Sequence, residues 1–338
     1  MNVLNGVAIG VVVALIPGAL LGEILKLLAK SYPSLSAFTM TTTVSNSMIG
    51  FASGVIIGML FKMTPIQSVS IGIATMYAGG AIVPTPDGKG FALAGSGDIV
   101  TIIFTAALAT AFILLIGDRT GSYAILVLPP LTVVLIGGIG RFFLPYFKAV
   151  TTQLGNGIKH MLTLQPLLLC ILIAITFACI IASPITSVGI ALAINIDGLA
   201  SGAANLGICA CMFTLAIAGW TVNPKGISIA HFVGSPKVSM ANIIAKPKII
   251  LPVLFSSALM GVVAYLFNIT GTAMSAGFGF SGLVGPLAYL SLTNYTILNI
   301  LKVLVIFAVL PSVFGYIFVK LFTKIIPVIK TEDYKIKL

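Results

Sequence analysis

Apolar runs recur along the chain at about 6–29, 44–61, 66–84, 98–117, 122–140, 165–182, 185–220, 249–267, 272–290 and 299–322, separated by Pro, Gly and isolated charge. A bilayer core about 30 Å thick takes about 20 apolar residues per helical crossing. The pattern therefore predicts an all-α, polytopic membrane protein with about ten transmembrane segments. The first run lacks the basic n-region and small-residue cleavage site of a signal peptide and reads as a retained span.

One stretch breaks the rhythm. Arg141 to Gln165 mixes Arg141, Lys148, Lys159 and His160 with aromatics and Leu, as an interfacial amphipathic segment does. The expected organisation is an N-terminal membrane half (1–140), an amphipathic connector (141–164), a C-terminal membrane half (165–324) and a basic cytoplasmic tail (325–338). A short echo supports two halves: Pro65-Ile66-Gln67-Ser68-Val69 returns as Pro184-Ile185-Thr186-Ser187-Val188, each opening a Gly- and Ala-rich run.

Composition strengthens the membrane reading. Hydrophobic residues make up 59% and charged residues 7%, against roughly 25% charged in a soluble domain, and the mean hydropathy is +1.17. The net charge of +11 does not point to nucleic acid, because the basic residues are scattered between apolar runs and gather only at Lys320, Lys324, Lys330, Lys335 and Lys337. That is cytoplasmic anchoring beside a lipid bilayer. Lys26, Lys30, Lys89, Arg141, Lys148 and Lys159 fall in alternate loops, with Lys62 and Arg119 in the others, which places the first set in the cytoplasm and Met1 outside.

The loop from Thr221 to Lys248, with Lys225, Lys237, Lys246 and Lys248, should be cytoplasmic as well. This requires the 185–220 region to cross an odd number of times, although its length fits two spans. One of its pieces is then a re-entrant or broken helix, and Gly-rich 272–290 is the second candidate. Irregular backbone at membrane depth is tolerated only where protein or a water-filled cavity surrounds it, so such segments mark a solute path.

The polar residues inside these runs carry the candidate chemistry. Asn195, Asp197, Ser201 and Asn205, with Gly198 and Gly202 among them, offer an amide, a carboxylate and a hydroxyl at membrane depth, where a carboxylate is expensive. They suit a polyhydroxylated solute; the alternative is a helix break whose freed backbone groups these side chains satisfy. His231 is either a proton carrier or sugar ligand, or a solvated loop residue. Glu23 is expected to pair with Lys26, and Asp98 to cap the span that begins near Ile99. The hydroxyl-rich stretch Thr39 to Ser47 either bonds back to helix carbonyls or lines a solute path. Cys170, Cys179, Cys209 and Cys211 read as small buried residues. No catalytic motif, metal site or cofactor fingerprint emerges.

With Ser183-Pro184-Ile185-Thr186-Ser187-Val188-Gly189, Asn195-Ile196-Asp197-Gly198-Leu199-Ala200-Ser201-Gly202 and Asn223-Pro224-Lys225-Gly226-Ile227-Ser228, the chain resembles a membrane subunit of the enzyme IIC type from the bacterial sugar phosphotransferase system, nearest to its stand-alone group. The resemblance implies a multi-pass carrier of the bacterial inner membrane, dimeric, that binds a sugar or sugar derivative in a cavity closed by re-entrant segments. It also implies separate IIA and IIB partners, the latter docking on the basic cytoplasmic loop, and gives Asp197 and His231 the parts of hydroxyl ligands. The Gly-Ile-Thr-Glu motif of glucose-type carriers is absent. An ion-coupled transporter outside the phosphotransferase system and a ligand-binding membrane receptor fit the same residues.

Overall fold

The computed structural model of the chain describes residues 1–336, apart from the side chains of Leu27 and Asp118. Lys337 and Leu338, the end of the expected basic tail, lie outside the described residues. The chain forms two compact units, Met1–Val150 and Thr151 onward.

The first unit contains α1 (Asn2–Ser31), α2 (Ser36–Ser47), α3 (Ile49–Leu60) and α4 (Pro65–Gly79), then a two-stranded antiparallel ribbon, β1 (Ile82–Pro84) and β2 (Phe91–Leu93). It continues with α5 (Ile99–Ile116), α6 (Ala124–Pro130) and the first part of α7 (Gly137–Met161). Small residues let its helices meet closely. Gly50, Gly54 and Gly58 lie one turn apart on α3 and face α4, and a Cβ at Gly54 would stand 2.6 Å from the Gly72 Cα.

Local chemistry fixes the helix ends. Thr64 and Gln67 form a capping box at the start of α4, with Pro65 at its first position. Asp98 caps α5 as expected, its Oδ2 accepting from the Thr101 backbone N–H at 2.8 Å and from the Thr101 hydroxyl at 2.7 Å. Arg141 donates to the Tyr77 carbonyl at the end of α4 and lies over the Tyr77 ring. Glu23 pairs with Lys26 at 2.7 Å. In α2, Thr39, Thr41, Thr42 and Thr43 bond back to carbonyls three or four residues earlier, whereas Ser45 reaches the Ala14 carbonyl of α1.

The second unit contains the rest of α7, α8 (Pro166–Ala182), α9 (Ser187–Ile194), α10 (Gly198–Ala218), α11 (Lys225–Val233), α12 (Met240–Ala245), α13 (Leu251–Leu266), α14 (Val284–Thr293), α15 (Ile297–Leu304) and α16 (Leu310–Lys320). Helix α10, rich in Ala and Gly, runs through its core and is buried along almost its whole length. Gly207 packs on the Ala174 backbone of α8, and a Cβ at Gly261 of α13 would come within 2.6 Å of the Cys170 carbonyl oxygen. Cys170, Cys209 and Cys211 are buried in this core, as expected of small apolar residues.

Among the described residues, six helical stretches are long and apolar enough to cross a bilayer, and the pair Pro33–Ser47 and Ile49–Leu60, bent by 52°, would make a seventh. This is fewer than the ten apolar runs. Helices α4 and α8 have only 15 and 17 residues, and the 185–220 and 272–290 runs are interrupted. The echo between Pro65 and Pro184 also shifts: Pro65 begins α4, whereas Pro184 precedes α9, which Thr186 caps.

Two long stretches carry wide, π-type turns. One follows Pro129 and Pro130, over Leu131–Ile136, and another, Val305–Val309, comes just before Pro311. Proline lacks the N–H that would close the regular ladder, so the helix loosens there without ending. The stretch Arg119–Met161, kinked at Gly121, has 43 residues; at about 1.5 Å per residue a bilayer core about 30 Å thick takes up roughly half of it.

The chain's end folds back on the second unit. The buried Tyr334 hydroxyl donates to the Ile249 carbonyl at 3.1 Å, and the Asn223 amide accepts from the Ile336 N–H at 2.8 Å while donating to the Tyr334 carbonyl at 2.9 Å. Asn242 donates to the Asp333 and Lys335 carbonyls. Lys246 pairs with Asp333 and holds that carboxyl below its ordinary range. The tail is a strap on the 221–250 loop.

Candidate functional site

The 185–220 run divides where the polar string lies. Asn195 ends α9 with φ +50°, the left-handed conformation that Asn tolerates better than most residues. Asp197 is extended, and Gly198 takes φ +53°, which its missing side chain permits. Ile196 between them is 1% exposed and anchors the break inward. Its polar neighbours Asn195 and Asp197 are exposed, and neither side chain has a hydrogen-bond partner among the described residues.

The remaining candidates on α10 face the other way. Ser201 and Asn205, one turn apart and both fully buried, address the irregular segment that precedes α14. The Gly271 N–H donates to the Gly198 carbonyl at 3.0 Å, and the Ser201 hydroxyl to the Thr272 carbonyl at 2.8 Å. Asn205 donates to the Ser275 hydroxyl at 3.2 Å and accepts from the Gly279 N–H at 3.0 Å. Gly202 is required because a Cβ there would collide with the Ile269 carbonyl. The four sequence candidates thus divide in two: Asn195 and Asp197 are open, whereas Ser201 and Asn205 are buried and hold the 272–279 segment.

His231 stands apart from this group. It is fully buried in α11, where its Nδ1 faces the Ile227 and Ser228 carbonyls at 3.0 and 3.2 Å and its Nε2 lies 2.7 Å from the Ser239 hydroxyl. The two carbonyls require a proton on Nδ1, and in the neutral ring, which burial favours, Nε2 accepts from the Ser239 hydroxyl. Burial draws the imidazole down to about 4, against the pull of the two carbonyls. It is not a solvated loop histidine.

The sequence reading missed what holds the second irregular segment, and it placed Lys237 wrongly among exposed docking lysines. Lys237 is buried and donates to the carbonyls of Ser183 and Ile185; Lys225, Lys246 and Lys248 are exposed. The only signal was context, since Gly234-Ser235-Pro236 before it and Val238-Ser239-Met240 after it contain no charge. Lys302, set near the start of the last long stretch, was also passed over; it donates to the Tyr289 hydroxyl at 2.8 Å and to the Phe267 carbonyl that ends α13.

No curated protein and no solved structure matches the chain. A family model does: that of the phosphotransferase system EIIC, over residues 1–336. Its reach across both units, together with long apolar helices, makes this a multi-pass membrane protein. The chain belongs to the phosphotransferase system EIIC family, the membrane components of sugar transport.

Proposed function

We propose that this protein is a carrier for a sugar or sugar derivative and that the break between α9 and α10 holds the solute. The observation that carries this reading is the open pair Asn195 and Asp197, without side-chain partners among the described residues, at a helix break beside which Ser201 and Asn205 hold the 272–279 backbone. An amide and a carboxylate together supply the donor and acceptors that sugar hydroxyls need. His231 would join them by exchanging the Ser239 hydroxyl for one of the solute's.

In this reading α9 and α14 are re-entrant. At eight and ten residues they reach about 12 and 15 Å, well short of a bilayer core, and with them the crossings and half-crossings total about ten. The protein would work in a bacterial inner membrane as a homodimer, presenting its bound sugar to a phosphorylated IIB partner that IIA recharges, with its 221–250 loop and tail in the cytoplasm.

Thermal shift of the purified protein against sugars, nucleosides and carboxylates tests the solute class, because a ligand that binds the native state stabilises it by mass action. Stabilisation by a sugar, lost in Asp197→Asn, is the expected result. Stabilisation by a sugar that persists in Asp197→Asn would move the site elsewhere. Proteoliposomes test the coupling: phosphorylated product only in the presence of partners is expected, and ion-driven accumulation of unmodified solute without them would remove the phosphotransferase role.

A further inference from the structure

Lys237 is 4% exposed, and its ammonium donates to the Ser183 carbonyl and, at 2.8 Å, to that of Ile185. Both carbonyls belong to the linker between α8 and α9. The turn that carries Lys237 is held from a second direction, where the Ser281 hydroxyl donates to the Gly234 carbonyl at 2.9 Å. A third bond closes the figure: Ser187, first residue of α9, donates to the Gly277 carbonyl at 2.7 Å. The loop turn 234–237, the entry to α9 and the irregular segment 275–283 therefore meet at one junction.

Among the described residues no carboxylate pairs with Lys237. Burying a cation without a counter-charge is costly, and an apolar side chain would pin the loop at less expense. What the cation does that an apolar group cannot is gather carbonyls of the linker that follows α8, on the side of that helix's negative pole. Burial lowers the Lys237 amine to about 7, with the nearby Cys211 pulling the other way, and either protonation state keeps N–H donors for both carbonyls. Helix α9, a single helix of eight residues, carries Asn195 at its far end, with Asp197 two residues on.

We propose that Lys237 is a positioning residue, tying the basic loop to the entry of α9 and so fixing where Asn195 and Asp197 stand. This rests on the reading of that break as the solute site. A displacement of the loop, on which the exposed Lys225, Lys246 and Lys248 also sit, would be transmitted along α9 to the break.

The test uses Ile196, buried between the two polar residues, as a probe. Full-length protein carrying Ile196→Cys is labelled with a maleimide, and native Cys209, fully buried in α10, reports any general loosening. Lys237→Met is expected to raise labelling at position 196 by at least ~10-fold, the factor that loss of one charge-assisted hydrogen bond corresponds to, with Cys209 still protected. Lys237→Arg keeps its donors and should stay within ~3-fold of the parent. Should Lys237→Met fail to fold, Lys237→Gln, which keeps one amide donor group, replaces it. Unchanged labelling at 196, or labelling of 196 and Cys209 rising together in both variants, would overturn the proposal. Solute binding is read separately by thermal shift: a labelling change in a protein whose parent binds no sugar removes the site reading and leaves the tether, whereas unchanged labelling in a parent that binds sugar removes the tether alone.

Discussion

Asn205, in the middle of α10, accepts a hydrogen bond from the backbone N–H of Gly279, 74 residues further along the chain, at 3.0 Å. Its amide also reaches Ser275, so one buried side chain holds two points of a segment that has no regular structure of its own. Replacing Asn205 with Ala strands the Gly279 N–H in the core, a loss of about 1–3 kcal/mol. A lower thermal midpoint and faster proteolysis within 268–283 are expected. A variant as stable as the parent would show that the segment is held by other contacts.

Asp197 lies only two helical turns away and should behave in the opposite way. Its carboxylate makes no hydrogen bond among the described residues, so Asp197→Asn is expected to change stability by no more than about 0.5 kcal/mol. Affinity for the solute should fall by ~10-fold or more, since bonds to a charged group are the strong ones. Equilibrium binding and unfolding measured on the same preparation separate the two effects.

His231 links stability to pH. Its folded value of about 4 lies below the ordinary 6.5, so between those values the unfolded chain binds a proton that the folded chain refuses. Stability is thus complete above about pH 6.5 and declines as pH falls toward 4, by up to about 3 kcal/mol. Unfolding measured from pH 4 to 7.5 should show this slope, and His231→Gln should flatten it. An equal slope in the variant would assign the effect to other groups.

The exposed lysines on the 221–250 loop are not equivalent. Lys225 and Lys248 form no salt bridge among the described residues, whereas Lys246 is engaged by Asp333. Charge reversal at Lys225 and Lys248 should slow IIB-dependent sugar phosphorylation most at low ionic strength, as electrostatic steering requires. Lys246→Glu should act through stability as well, by opposing Asp333. Rates insensitive to both charge and salt would place the docking surface elsewhere.

What could be read in the sequence was what is local in the chain. The Glu23–Lys26 pair spans three residues and so does the cap from Asp98 to Thr101; helical spacing alone brings such partners together. The interruption of the 185–220 run was expected from charge alternation, because two full crossings would have broken the alternation of basic loops. The bonds that Ser201, Asn205 and Lys237 make were not legible, for one shared reason. Their partners are 71, 70 and 54 residues distant, and a polar side chain aimed at a solute looks the same in sequence as one aimed at distant backbone. Asn195 and Asp197 differ in that their side chains have no such partner among the described residues.

The strap at the chain's end is held by Asn223 and Asn242, both of which bond to its main chain and to none of its side chains. Such a clasp reads the course of a polypeptide more than its letters. Lys335 could become almost any residue without loosening these amide bonds, yet proline at Ile336 would delete the one N–H that Asn223 accepts. The path of the strap is thus fixed through main chain at Asn223 and Asn242, and through side chains where Tyr334 reaches the Ile249 carbonyl and Asp333 pairs with Lys246.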